Sequence, residues 1–138
     1  MTLALEQEAT RPPPLIIGDR DLQRVTVAAL IDVSGSSDDT DFLLAELDRA
    51  QVVPEAELPP DVVRIGSIVS YESTSGDRRT VKLLMPVDAQ PQGTYRLSVT
   101  SAHGAALLGL RPDAVMTWMN PDGQRHRIRV IDVRNPGN

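Results

Sequence analysis

Three carboxylates crowd into four positions, Asp38, Asp39 and Asp41, and clustered carboxylates offer the hard oxygen ligands that suit Mg²⁺. Their setting supplies a plainer role. They close the polar run Ser34-Gly35-Ser36-Ser37-Asp38-Asp39-Thr40-Asp41 ahead of an apolar stretch, where acids cap a helix and complement its positive end. Capping alone accounts for them, and it is favoured over a metal site. Three arginines, Arg125, Arg127 and Arg129, alternate near the carboxy terminus, so on a strand they share one face. Such a row either discourages strand pairing at a solvated edge or docks against a partner's acidic patch. The solvated edge is the favoured account.

His103 and His126 are the only histidines, and cysteine is absent. No zinc spacing or thiolate nucleophile can be assembled, so His103 reads as a packing or surface residue rather than a base. The single tryptophan, Trp118, reads as core; Phe42, beside the acidic run, is compatible with burial or exposure. There is no lysine-bearing phosphate loop and no dinucleotide fingerprint. Neither enzymatic activity nor a cofactor is expected.

Charge is divided unevenly along the chain. The first 60 residues hold twelve acids against four arginines, a balance of −8, whereas the remaining 78 hold seven acids against ten bases, +3. With a net charge of −5 there is no dominant basic field to displace counterions from phosphate. Sequence-specific nucleic-acid binding is therefore not expected, and a protein partner fits better. The lack of cysteine suits a reducing compartment, and no stretch approaches the roughly 18 apolar residues of a membrane span. A cytoplasmic, unanchored monomer is expected.

The elements that must position these residues follow from periodicity and turn chemistry. Residues 1–14 end in Pro12-Pro13-Pro14, a stiff run without amide donors, and read as a mobile tail. Leu22, Val25 and Ala29 form one stripe of a helix begun at Asp19 and running to about residue 32. A second helix is expected from Phe42 to about Ala50, with Leu43, Leu44 and Leu47 facing the first in an antiparallel hairpin with an acidic tip. Pro59-Pro60 marks a junction. Strands are predicted at 62–65, 68–73, 80–87, 95–100, 115–119 and 126–133, with turns at 75–77 and 120–123. Ser101 caps a short helix that Gly109 ends. The fold class is α+β, an arm over residues 15–53 followed by an antiparallel sheet domain with one short helix over 54–138.

Residues 101–115, Ser-Ala-His-Gly-Ala-Ala-Leu-Leu-Gly-Leu-Arg-Pro-Asp-Ala-Val, followed by Asn120-Pro121-Asp122-Gly123, resemble the carboxy-terminal signature of the bacterial transcript-cleavage factors of the Gre type. The signature positions here are Ser101, Gly104, Leu107, Leu108, Gly109, Asp113 and Gly123. Pro112-Asp113 stands where that family has Gly-Asp, and Asn120-Pro121-Asp122-Gly123 where it has Pro-Gly-Gly. Both keep turn chemistry. Residues 45–53 and Pro60-Asp61-Val62-Val63 are similar to one branch, the Rnk regulators of nucleoside diphosphate kinase.

The resemblance implies an FK506-binding-protein-like carboxy-terminal domain, a coiled-coil arm, and docking on RNA polymerase at the rim of its secondary channel. In Gre factors the arm carries paired acids that help hold a catalytic metal. Helices of about 9 to 14 residues make an arm only about 20 Å long, shorter than the Gre arm. The chain is thus expected to occupy the channel entrance without stimulating transcript cleavage. Asp38, Asp39, Asp41, Arg125, Arg127 and Arg129 are the candidate polymerase contacts. Two alternatives stand: direct binding to nucleoside diphosphate kinase, or a cleavage factor that uses Asp38, Asp39 or Asp41 with Mg²⁺.

Overall fold

In the computed structural model, which describes residues 12–31, 37–91, 93–119 and 122–135, the stripe of Leu22, Val25 and Ala29 forms helix α1, Asp19–Ile31. Val25, Ala28 and Ala29 are buried and Leu22 packs against the same core. The carboxylates at its start tie it down. Asp19 Oδ1 accepts the amides of Arg20 and Glu55, at 2.8 and 3.1 Å. Buried Asp21 accepts the Ile65 amide at 3.0 Å through Oδ2 and pairs with Arg24 through Oδ1.

Helix α2 spans Ser37–Arg49, five residues longer at its start than the apolar pattern indicated. Asp38 and Asp39 lie inside its first turn, where the positive end of the helix dipole stabilises carboxylates, so the acidic run begins the helix instead of preceding it. Residues 34–36 of that run lie outside the described residues, as do 1–11 of the tail and Asn120-Pro121 of the last turn. Two short strands, β1 at Ile16–Gly18 and β2 at Gln51–Val53, pair in parallel and bracket the two helices.

The main sheet has five strands: β3 Ile68–Ser73, β4 Arg78–Leu84, β5 Arg96–Ser98, β6 Val115–Met119 and β7 Arg125–Arg134. Their order is β5-β4-β3-β7-β6. All neighbours are antiparallel except β4 and β5, which run parallel. The wholly antiparallel sheet expected from hairpin turns is corrected at this edge, because β5 re-enters the sheet parallel to β4, which a tight turn cannot do. The expected strand at 62–65 is also absent. Its amides bond elsewhere, Arg64 to Ser67 Oγ and Ile65 to Asp21, while Val62 and Val63 plug the core from an irregular segment.

Helix α3, Ala102–Leu107, begins where expected, with Ser101 Oγ accepting the Gly104 amide at 3.1 Å. Gly109 follows at φ +84°. Leu43 and Leu47 of α2, Leu107, Leu108 and Leu110 around α3, and Val69, Tyr71 and Ile128 of the sheet belong to one apolar core. Helices α2 and α3 therefore lie against one side of the sheet, with α1 packed on α2, β1 and β2, and the sheet's other side faces solvent.

Candidate interaction site

Four side chains scattered through the chain meet where α2 crosses the sheet. Phe42 stacks on Trp118 at 5.8 Å between ring centroids, and Trp118 stacks on His126 at 5.3 Å. His103 closes the group edge-on to Trp118 at 5.5 Å, and Tyr71 hydroxyl meets its Nδ1 at 3.2 Å. Trp118 Nε1 is buried without a hydrogen-bond partner among the described residues. Trp118 and Phe42 are both half-buried against the core, so the tryptophan expected in the interior instead joins a helix to the sheet.

Electrostatics of the cluster follow from this packing. Burial pushes the His103 pKa down, reinforced by His126 and Arg79 and opposed by Asp39. Asp39 is itself pushed up, first by burial, then by the charge of Asp38, with His103 pulling the other way. The first turn of α2 thus lies beside His103 of α3. Asp38 and Asp41 are exposed on the same turn. Among the described residues no three His, Asp or Glu side chains are grouped as a metal ion would need. The far end of α2 is fastened too: Arg49 pairs with Glu46 at 2.6 Å and donates to the Pro13 carbonyl at 2.7 Å.

The three arginines do share one exposed face of β7, opposite Met119, Thr117 and Val115 of β6, but β7 is paired on both sides, between β3 and β6, so the solvated edge expected for them is corrected. They lie on the solvent side of the sheet, away from the acids of α2, so the structure does not bring the two candidate sets together.

The signature residues are structural junctions. A Cβ on Gly104 would collide with the Ser98 carbonyl, which holds α3 against β5. Gly109 donates to Val63 O at 2.9 Å and accepts from the Ile16 amide at 3.1 Å, joining β1, the irregular segment and α3. Leu107 and Leu108 are buried. Asp113 takes a positive φ of 74°, the left-handed turn that aspartate tolerates better than most residues, and its amide bonds Val130 O at 2.8 Å. Gly123 turns the last hairpin at φ +86°.

The sequence carries only a coarse signal of the aromatic cluster: a hairpin between β6 and β7 brings Trp118 near His126. Centred on 120–123 it would set Trp118 opposite Arg125, whereas the observed register, shifted by one residue, pairs Trp118 with His126. Nothing in the spacing links either to Phe42 or His103.

This architecture agrees with two family models: "Transcription elongation factor, GreA/GreB, C-term" matches residues 58–135, and "Rnk N-terminus" matches residues 13–53. The chain belongs to the GreA/GreB transcription elongation factor family, in the branch that carries the Rnk amino-terminal segment. It is 35% identical over 122 residues to the regulator of nucleoside diphosphate kinase of Escherichia coli K12, covering 88% of this chain and 89% of that one. It is 29% identical over 90 residues to the transcription elongation factor GreA of Clostridium botulinum, covering 64% and 55%. A solved GreA/GreB elongation factor from Nitrosomonas europaea superposes with a TM-score of 0.66 at 31% identity, over 89% of this chain and 99% of that one. Among the described residues no helix is long and apolar enough to cross a membrane.

Proposed function

We propose that this chain is a regulator that binds RNA polymerase near its secondary channel, excludes Gre-type factors from it and leaves the transcript uncleaved. The observation that carries this reading is the seating of α2. Its first-turn acids lie on a helix of 13 residues, about 20 Å long, whose middle is stacked on the sheet through Phe42 and Trp118. Acids held there are poorly placed to reach a distant active centre. Family membership supports the partner, with Asp38, Asp39, Asp41 and the row Arg125, Arg127 and Arg129 as its proposed contacts.

The same reading treats residues 15–53 and 54–138 as the arm and the FK506-binding-protein-like domain of a cytoplasmic monomer. A second reading rests on the Escherichia coli relative, whose name makes it a regulator of nucleoside diphosphate kinase. Pull-down of purified core RNA polymerase and of nucleoside diphosphate kinase on the same immobilised chain separates the two. Retention of polymerase, reversed by a Gre factor, is expected; retention of the kinase alone would replace the first reading with the second.

A further inference from the structure

The solvent side of the five-stranded sheet is far more basic than the three alternating arginines indicate. Strand register puts Arg125, Arg127 and Arg129 of β7 on it, and the shift in register beside Ser70 and Tyr71 brings Arg134 to the same side, opposite Ile68. A bulge of this kind reverses the alternation after one extra residue. Arg78 and Lys82 of β4 face the same way, across from Glu72 and Ile68. Arg96 of β5 lies beside Lys82. Seven cations stand here against two carboxylates, Glu72 and Asp132, and successive β7 arginines lie about 7 Å apart.

We infer that this whole sheet face is a docking surface for a carboxylate-rich surface of a partner protein, which for the polymerase-binding reading above would be a surface of RNA polymerase. Composition selects a protein over a nucleic acid. Glu72 and Asp132 pair with Arg78 and Arg134 within the face, at 3.4 and 3.2 Å, which leaves five of the seven cations for a partner's carboxylates. No aromatic side chain lies on the five strands' solvent side to stack on a base. Ile68, Val115 and Met119 contribute apolar contact there, Met119 being 57% exposed, and methionine and arginine are both enriched in protein interfaces.

The test compares the full chain with R125Q/R127Q/R129Q, and with R20Q on α1 as a control, against three probes in a salt series: labelled poly-L-glutamate, a single-stranded RNA of equal charge, and core RNA polymerase. The wild-type chain is expected to bind poly-L-glutamate more tightly than RNA and to release it as salt rises. The triple variant should weaken poly-L-glutamate and polymerase binding by at least about tenfold, with R20Q unchanged. Undiminished poly-L-glutamate binding by the triple variant, or tighter binding of RNA, overturns the inference. Polymerase binding that the triple variant leaves unchanged overturns it while sparing the polymerase reading. Poly-L-glutamate binding lost with the arginines, beside a wild-type chain that ignores polymerase, sinks the polymerase reading and keeps the surface. Should the triple variant fail to fold, K82Q/R96Q on the opposite side of the face reads the same contact.

Discussion

Phe42 of α2 lies on Trp118 of β6, the ring planes inclined by 23° with centroids 5.8 Å apart. One helix of the amino-terminal segment is thereby fixed to the carboxy-terminal sheet near its middle, and Arg49 fastens its end to the Pro13 carbonyl. A helix tethered at these two points is part of the sheet's covering layer, and its acids are held with the domain.

Removing that stack should loosen the helix. Phe42→Ala is expected to lower stability by about 2 to 4 kcal/mol, and Phe42→Leu by less, because the leucine keeps part of the buried area. Urea unfolding followed by Trp118 fluorescence measures both. Equal losses for the two variants would mean that the ring makes no special contribution.

At Gly104 the constraint is steric. A methyl group there meets the backbone carbonyl of Ser98, which cannot swing aside, so Gly104→Ala should cost several kcal/mol, on the order of 3 or more. Gly76 has open space around it and differs only in its φ of +85°, so Gly76→Ala should cost about 1 kcal/mol. Thermal melts of the pair give the comparison, and a mild effect at Gly104 would show that α3 can slide along β5.

Asp21 is a buried carboxylate that spans two segments. Replacing it by alanine strands the Ile65 amide and releases Arg24, for an expected loss of about 1.5 to 3 kcal/mol. Asp21→Asn, which keeps an acceptor, should lose less. Hydrogen exchange at the Ile65 amide reports the bond directly: protection unchanged in the alanine variant would count against it.

Acid should weaken the fold around His103. Its folded pKa is lowered from 6.5, so between that lower value and 6.5 the unfolded chain takes up a proton that the folded chain refuses, and stability falls as pH drops through that interval. Asp39 behaves oppositely in its own window. Its folded pKa is raised from 3.8, so its contribution is present below 3.8 and lost as pH rises through the raised value. Urea midpoints from pH 7 downward, for wild type and His103→Gln, check the first effect; a slope just below pH 6.5 that survives in the variant would assign it elsewhere.

Much of the architecture was legible because its signals are local. Ser101, the apolar run behind it and Gly109 announce α3, and the β-branched stretches around Val69, Met116 and Ile128 announce their strands. The misreadings have physical causes. Asp38 and Asp39 resemble loop residues by composition, yet the helix dipole draws them into α2. Val62 and Val63 resemble a strand by type, yet the neighbouring amides are taken by Ser67 and Asp21. The direction of β5 depends on how the chain re-enters the sheet after β4, which no spacing encodes. Of the candidate site, the row of Arg125, Arg127 and Arg129 was readable from alternation alone. The rest of the basic face needed the β7 bulge and the sheet order, and the aromatic cluster needed residues 84 positions apart, from Phe42 to His126.

Occupancy without chemistry can be read in a single assay. Halted elongation complexes are incubated with the labelled chain and Mg²⁺, with and without a competing Gre factor, and bound protein and transcript length are read from the same samples. Saturable binding that the Gre factor displaces is expected, with full-length transcripts when the chain acts alone and slower Gre-stimulated cleavage as the chain is added. Transcript shortening by the chain alone, abolished on replacing Asp38, Asp39 and Asp41, would contradict it, as would failure to bind the complexes at all.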